Sequence, residues 1–111
     1  MKKKLLFVFN PKSGKGLIKE HLVNIVDIMT KAGYKITIYP TQCQGDAIKK
    51  VRKKAKKYDL VVCSGGDGTL HEAVTGLMAL PQEQRPPMGY LPSGSTNDVA
   101  FGLELPTELQ Q

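Results

Sequence analysis

The sequence predicts a three-layer α/β domain with a mostly parallel sheet, and three observations carry that expectation. Short β-branched and apolar runs alternate with segments of helical periodicity, the pattern of parallel βαβ units joined by right-handed crossovers. The run Leu60-Val61-Val62-Cys63 is apolar without alternation, as a strand covered on both faces requires. Polar, glycine-rich clusters follow the strands, and at the carboxyl ends of strands in such sheets ligands gather. Together these make the domain Rossmann-like.

Each element has its own signal. Leu5 to Phe9 is an apolar run stopped by Asn10-Pro11, hence a strand leading into a broken loop. Ile18, Leu22, Ile25, Val26 and Met29 recur at helical spacing and are followed by Gly33, a helix terminator. "YKITIYP" is a second strand, rich in β-branched residues and closed by Pro40. Ile48, Val51, Ala55 and Tyr58 form the apolar stripe of a second helix, whose other face is basic. "DLVVCS" is the third strand, and a helix beginning near Thr69 carries Leu70, Ala73, Val74, Leu77 and Met78 on one side. After the polar loop "PQEQRPP", "MGYLPSG" makes a short fourth strand. "STNDVAFGL" then has a helix start at Ser95 or Thr96, with Asn97 and Asp98 in its first turn.

Bulk properties narrow the class. A chain of 111 residues is one domain, long enough to bury a core, and hydrophobic content of 41% is ordinary for a globular protein. The apolar run after the initial lysines is too short for a secretory or membrane-spanning segment. Cys43 and Cys63 show neither metal spacing nor a disulfide framework. Reduced thiols and a cytoplasmic location are expected. The net charge of +6 is concentrated in Lys49–Lys57, which holds seven of the sixteen basic residues. That run fits a solvated helix face or attraction to an anionic membrane at its inner surface. No aromatic residues interleave with the basic ones, so nucleic acid is not expected as a partner.

The stretch "VVCSGGDGTL" carries the chemistry. Glycines at a strand end let a ligand approach peptide groups directly, and a helix N-terminus beyond them offers N–H groups and a positive dipole end to phosphate. Asp67 would repel a bare polyphosphate, so Mg²⁺ or ordered water must mediate, and magnesium characteristically keeps several waters and few carboxylates. Thr69 can donate to phosphate or cap the helix. Glu72, one turn on, either orients the surroundings of Asp67 or favours the helix N-terminus electrostatically. Alone, Gly65, Gly66 and Gly68 would be read as a tight turn. Three other polar loops on the same edge, after Phe9, Pro40 and Pro92, turn the reading toward a ligand site. It is not a P-loop: "SGKG" lacks the upstream glycine and the following hydroxyl residue.

With "NPKSGKG", "GGDGTLHEAV" and "LPSGSTNDVA" in this order, the chain resembles the nucleotide-binding domain of the diacylglycerol kinase and sphingosine kinase superfamily, its bacterial lipid kinases above all. The resemblance covers Asn10 to Gly102. NAD kinases share "GGDGT" and phosphofructokinases a relative of it, but the ordered set is more specific. It implies ATP as phosphoryl donor, with Mg²⁺. The phosphates would be held by Asn10, Pro11, Lys12, Ser13 and Gly14 and by Gly66, Asp67, Gly68, Thr69, Leu70, His71 and Glu72, with Asp67 reaching the metal through water. Thr41 and Ser95 would contact the nucleotide from the second and fourth loops. Ser95 stands where the family often has Thr, His71 where Asn is common, and Asp46 where His is frequent.

The resemblance further implies that residues 1–111 are the nucleotide-binding domain of a kinase whose acceptor is a membrane lipid, diacylglycerol first, giving phosphatidic acid. A β-rich second domain, absent from these residues, would supply the lipid pocket and the general base, leaving this chain without a catalytic residue and inactive alone. An NAD kinase-like domain, or a nucleotide-binding or interaction module without catalysis, is the alternative; a homo-oligomer is compatible with either. Substituting Ala at Gly66 or Gly68 is expected to hurt nucleotide binding more than folding, by colliding with phosphate or by penalising a positive φ.

Overall fold

A computed structural model of the chain describes residues 3–12 and 17–92, with backbone alone at 17–20 and 92. The described elements are β1 (Lys3–Phe9), α1 (Leu17–Lys31), β2 (Tyr34–Pro40), α2 (Asp46–Lys54), β3 (Leu60–Gly65), α3 (Asp67–Met78) and β4 (Met88–Pro92). Short 3-10 turns follow α2 at Ala55–Lys57 and α3 at Gln82–Gln84.

The four described strands form one sheet in the order β2-β1-β3-β4, and every pairing is parallel. All carboxyl ends therefore lie on one edge. β1 pairs with β2 on one side and with β3 on the other, so the chain reverses its direction of travel across the sheet between β1 and β3. In open α/β sheets that reversal leaves a crevice.

Period-2 alternation distributes the strands between two cores. Leu5, Phe7, Phe9, Leu60, Val62 and Leu91 pack with Ile25 and Met29 of α1. Leu6, Val8, Val61 and Cys63 point the other way, onto Ala47 and Val51 of α2, Ala73 and Leu77 of α3, and Ala55 and Leu80. This is the three-layer architecture the sequence predicts. Strand β3 is buried from end to end, as its unbroken apolar run requires. Strand β2 lies at the sheet's edge and is half exposed; Pro40 sits at its last position, where a missing donor costs little.

Helices α2 and α3 pack closely because Gly76 has no side chain: a Cβ there would lie 2.9 Å from both the Ile48 carbonyl oxygen and the Val51 Cβ. Burial leaves the Cys63 thiol pushed up to about 12, an unreactive packing group.

Two boundaries differ from expectation. Of the expected α2 stripe, Val51 and Ala55 are buried and Tyr58 packs partly against the same core, while Ala47 takes the buried place expected for Ile48; the α-helix itself ends at Lys54 and tightens into a 3-10 turn before Tyr58. There the chain must leave the helix to feed β3, and Asp59 is tied to β1 by two bonds: its N–H donates to the Lys4 carbonyl at 2.8 Å, and its Oδ2 accepts from the Lys4 N–H at 2.7 Å. Helix α3 starts at Asp67, two residues before the expected Thr69. The helix expected after Ser95 lies outside the described residues.

Candidate functional site

A groove of about 430 Å³ opens at the carboxyl edge, over the face carrying α2 and α3. Its walls come from three connections. Asn10 and Lys12 follow β1; Thr41, Gln42, Cys43 and Gln44 follow β2; Gly68, Thr69 and Glu72 belong to α3. The sequence-predicted Asn10, Lys12, Thr41, Gly68, Thr69 and Glu72 are thus brought together. Ala47, at the start of α2, completes the wall.

Backbone bonds fix these connections to one another. The Asn10 N–H donates to the Ser64 carbonyl at 3.0 Å, and the Thr41 N–H to the Phe9 carbonyl at 2.8 Å. Asn10 then folds its own loop: Oδ1 accepts from the Lys12 N–H at 2.9 Å, an Asx turn after the strand.

The β3–α3 junction shows how the glycines are used. Gly65 has φ of +157°, and a Cβ on it would lie 2.5 Å from Thr69 Oγ1 and 2.7 Å from Thr69 Cβ. The first turn of α3 thereby settles against the strand end. Gly66 is the N-cap residue with φ of −82°, and neither it nor Gly68 has a positive φ. The positive-φ expectation for those two positions is therefore corrected. A Cβ at either would meet nothing within 4 Å, so each leaves open space beside the helix end.

Asp67 is the first helical residue, exposed at the N-terminus of α3. Thr69 is no cap, since the cap position is Gly66; it is buried in the first turn and faces the groove with one side. Pro11, Gly66, Asp67, Leu70 and His71 are not among the groove-lining residues: Gly66 and Asp67 are exposed at the start of α3 beside it, Leu70 packs against the core, and the His71 side chain is exposed. Ser13, Gly14 and Ser95 lie outside the described residues.

Glu72 has a further role that neither expectation named. Its Oε2 accepts from the Gly45 N–H at 3.1 Å, pinning the β2–α2 loop to α3. Gly45 suits that role because it sits at φ of +86°, the left-handed conformation that favours glycine. A second carboxylate braces the same loop. Asp46 Oδ2 accepts from the Gln42 N–H at 2.7 Å and from the Tyr39 hydroxyl at 2.8 Å. Those bonds, the backbone one first, lower the Asp46 pKa against the opposing effect of desolvation, and Lys49 and Lys50 add to the lowering. The same hydroxyl bond raises the Tyr39 pKa.

Sequence reasoning missed Gln42, Cys43, Gln44 and Ala47 as groove residues, and it missed Tyr90. The Tyr90 hydroxyl donates to the Gly65 carbonyl at 2.7 Å, anchoring the glycine junction to β4; burial, then Cys63 and Asp67, raise its pKa. The position of "TQCQG" straight after a strand was the available signal for the first group.

Among the described residues no group of three or more His, Cys, Asp or Glu side chains could hold a metal. The single exposed carboxylate of Asp67 fits a hydrated Mg²⁺ shared with ligand phosphates, the mode in which that ion is commonly bound.

The family model for the diacylglycerol kinase catalytic domain matches residues 4–111. A diacylglycerol kinase of Bacillus subtilis is 38% identical over 107 residues, which are 96% of this chain and 35% of that protein. One from Staphylococcus carnosus is 40% identical over 110 residues, 98% of this chain and 35% of that protein. The chain thus spans about a third of the length of the curated relatives it matches. The crystal structure of a diacylglycerol kinase from Bacillus anthracis superposes with a TM-score of 0.73 at 39% identity, covering 86% of this chain and 36% of that one. A second structure from the same organism gives 0.75 at 37% identity, covering 97% and 38%.

Proposed function

Because this chain belongs to the diacylglycerol kinase catalytic-domain family, we propose that it is the nucleotide-binding domain of an ATP-dependent lipid kinase, with diacylglycerol as acceptor and phosphatidic acid as product. The observation that supports this most is the convergence of three connections on one groove at the carboxyl edge, beside the point where the chain reverses across the sheet. Its volume is in the range of small-molecule and cofactor sites.

In this reading the N-terminus of α3 receives phosphate oxygens, with backbone N–H groups and the dipole end supplying the attraction. Gly66 and Gly68 let those oxygens approach the backbone. Lys12 adds a cation, Asn10 shapes the loop that carries it, and Thr41 borders the nucleoside side of the groove. Asp67 would hold magnesium through water, and the ion would offset the charge on the phosphates. Glu72 and Asp46 keep the Thr41–Gly45 wall in place. Phosphoryl transfer depends mainly on such positioning and charge stabilisation. The base that deprotonates the lipid hydroxyl, and the pocket for the acyl chains, are assigned to a β-rich second domain beyond these 111 residues. The exposed basic face of α2 is assigned to attraction toward anionic membrane.

The test is transfer of radiolabel from ATP to diacylglycerol by the full-length protein. Labelled phosphatidic acid is the expected product. Label on NAD with none on lipid would move the chain to NAD kinase chemistry, and label on neither would leave a binding module. Asp67→Asn should keep the fold and lose the Mg²⁺-dependent part of ATP affinity. If Asp67→Asn binds Mg-ATP like the parent, the carboxylate has no part in metal or phosphate binding.

A further inference from the structure

At the opposite, amino edge of the sheet, parallel pairing sets Lys4 of β1 directly beside Lys35 of β2. Register partners in neighbouring strands project to the same face, and like charges so placed repel. The face is the one that carries α2, because Lys4 follows the alternation of Leu6 and Val8. The 3-10 turn after α2 brings Lys57 and Tyr58 over the pair. With Thr37 they line a cavity of about 190 Å³, room for a phosphate and several waters when each water takes about 30 Å³.

Three exposed lysines, a threonine and a tyrosine thus line one small space. The ion pair found among the described residues is Lys31–Asp27, and it lies elsewhere. Asp59 is the nearest carboxylate in sequence, and its Oδ2 is engaged by the Lys4 backbone N–H at 2.7 Å. It removes one unit of local charge and leaves an excess of two. The carbonyls ending α2 oppose an anion weakly, and Lys56 at that terminus counters them.

We propose that this cavity is a second anion site, built to take a phosphate group and separate from the groove at the carboxyl edge. Lys4, Lys35 and Lys57 supply the charge, and Thr37 and Tyr58 supply hydroxyl donors. The bound anion relieves the Lys4–Lys35 repulsion that the strand register imposes. The cavity is separate from the groove of the kinase reading, so either assignment can fail alone.

The full-length protein labelled at lysine side chains is titrated with inorganic phosphate and followed by NMR, beside the variant Lys35→Gln/Lys57→Gln. Shifts at Lys4, Lys35 and Lys57 are expected, saturating and weakened by salt. Each lysine removed should lower affinity by about tenfold, the usual size of a charge-assisted hydrogen bond. A parallel arm measures sedimentation with phosphatidylcholine vesicles with and without phosphatidic acid. Response to free phosphate assigns the site to soluble phosphates. A response confined to phosphatidic acid vesicles, lost in the variant, assigns it to the lipid headgroup. No response of these lysines in either arm, or equal affinity in the variant, overturns the proposal. Shifts confined to Lys12 would report the groove alone and would likewise overturn it.

Discussion

Replacing Gly65 with Ala sets the geometry of the β3–α3 junction against the folding energy. The new Cβ would stand 2.5 Å from Thr69 Oγ1 and 2.7 Å from Thr69 Cβ. Relaxed contacts between such atoms need about 3.5–4.0 Å, so roughly 1 Å must be found. Thr69 is β-branched and stiff at χ1, and its Cβ cannot rotate away. The first turn of α3 must therefore lift from the strand end. Overpacking of this kind costs about 1–3 kcal/mol, and a φ of +157°, which L side chains rarely adopt, adds about 1–3 kcal/mol. The expected loss is about 2–6 kcal/mol from a total of order 5–15 kcal/mol. For a domain of this size, at about 4 °C per kcal/mol, that lowers Tm by roughly 10–25 °C.

Gly68→Ala is the counterpart. It sits in the first turn of α3 with nothing within 4 Å of the added methyl. Its helix propensity improves by up to about 1 kcal/mol, so Tm should hold or rise slightly while ATP binding falls. Thermal unfolding followed by circular dichroism without ligand, beside ATP binding by calorimetry, separates the two. A Gly65→Ala protein within about 0.5 kcal/mol of the parent, or a Gly68→Ala protein that melts early, would overturn this account of the β3–α3 junction.

Other expectations are narrower. Ser64 Oγ is buried with no hydrogen-bond partner, so Ser64→Ala should stabilise the fold by about 1 kcal/mol; chemical denaturation showing a loss above that size would mean the hydroxyl is bonded. Asp46 has a pKa lowered from its ordinary 3.8, so the folded state binds fewer protons there than the unfolded one. Its contribution is complete above that value and disappears as pH falls through the folded pKa, so parent and Asp46→Asn stability curves should converge in acid and diverge at neutrality. Curves that stay parallel would show that the carboxylate's charge is immaterial. Changing Arg52, Lys53 and Lys56 to Gln, with Lys57 left in place, should weaken binding to phosphatidylserine vesicles and flatten its salt dependence; unchanged sedimentation would make this face simply solvated.

Much of the molecule was legible because its signals are local. "YKITIYP" is bounded by Gly33 and by proline, and β2 runs from Tyr34 to Pro40. The apolar run before Gly65 is buried throughout. What failed depended on distant partners. The end of α2 is decided by where Asp59 must meet Lys4, fifty-five residues away, and no propensity in a lysine-rich run marks it. Glu72 bonds Gly45 across twenty-seven positions, so its role could not be read from its place in the motif. Convergence on one edge was readable from the alternation of strands and helices; which residues of "TQCQG" turn inward was not, because that follows from the brace formed by Asp46. The pairing of Lys4 with Lys35 exists only through sheet register.

The strand nearest the N-terminus is also a central one, held between β2 and β3. Its first partner begins thirty-one residues later, from Lys3 to Tyr34, and its second fifty-five later, from Leu5 to Leu60. On a ribosome adding about 5–20 residues per second, the segment "LLFVF" therefore waits for seconds with both hydrogen-bonding rims open. A short, apolar, uncharged segment in that condition is a template for aggregation, and charged flanks are the usual guard. Lys2, Lys3 and Lys4 stand immediately ahead of it. Their repulsion discourages pairing between nascent chains until β3 emerges to close the second rim.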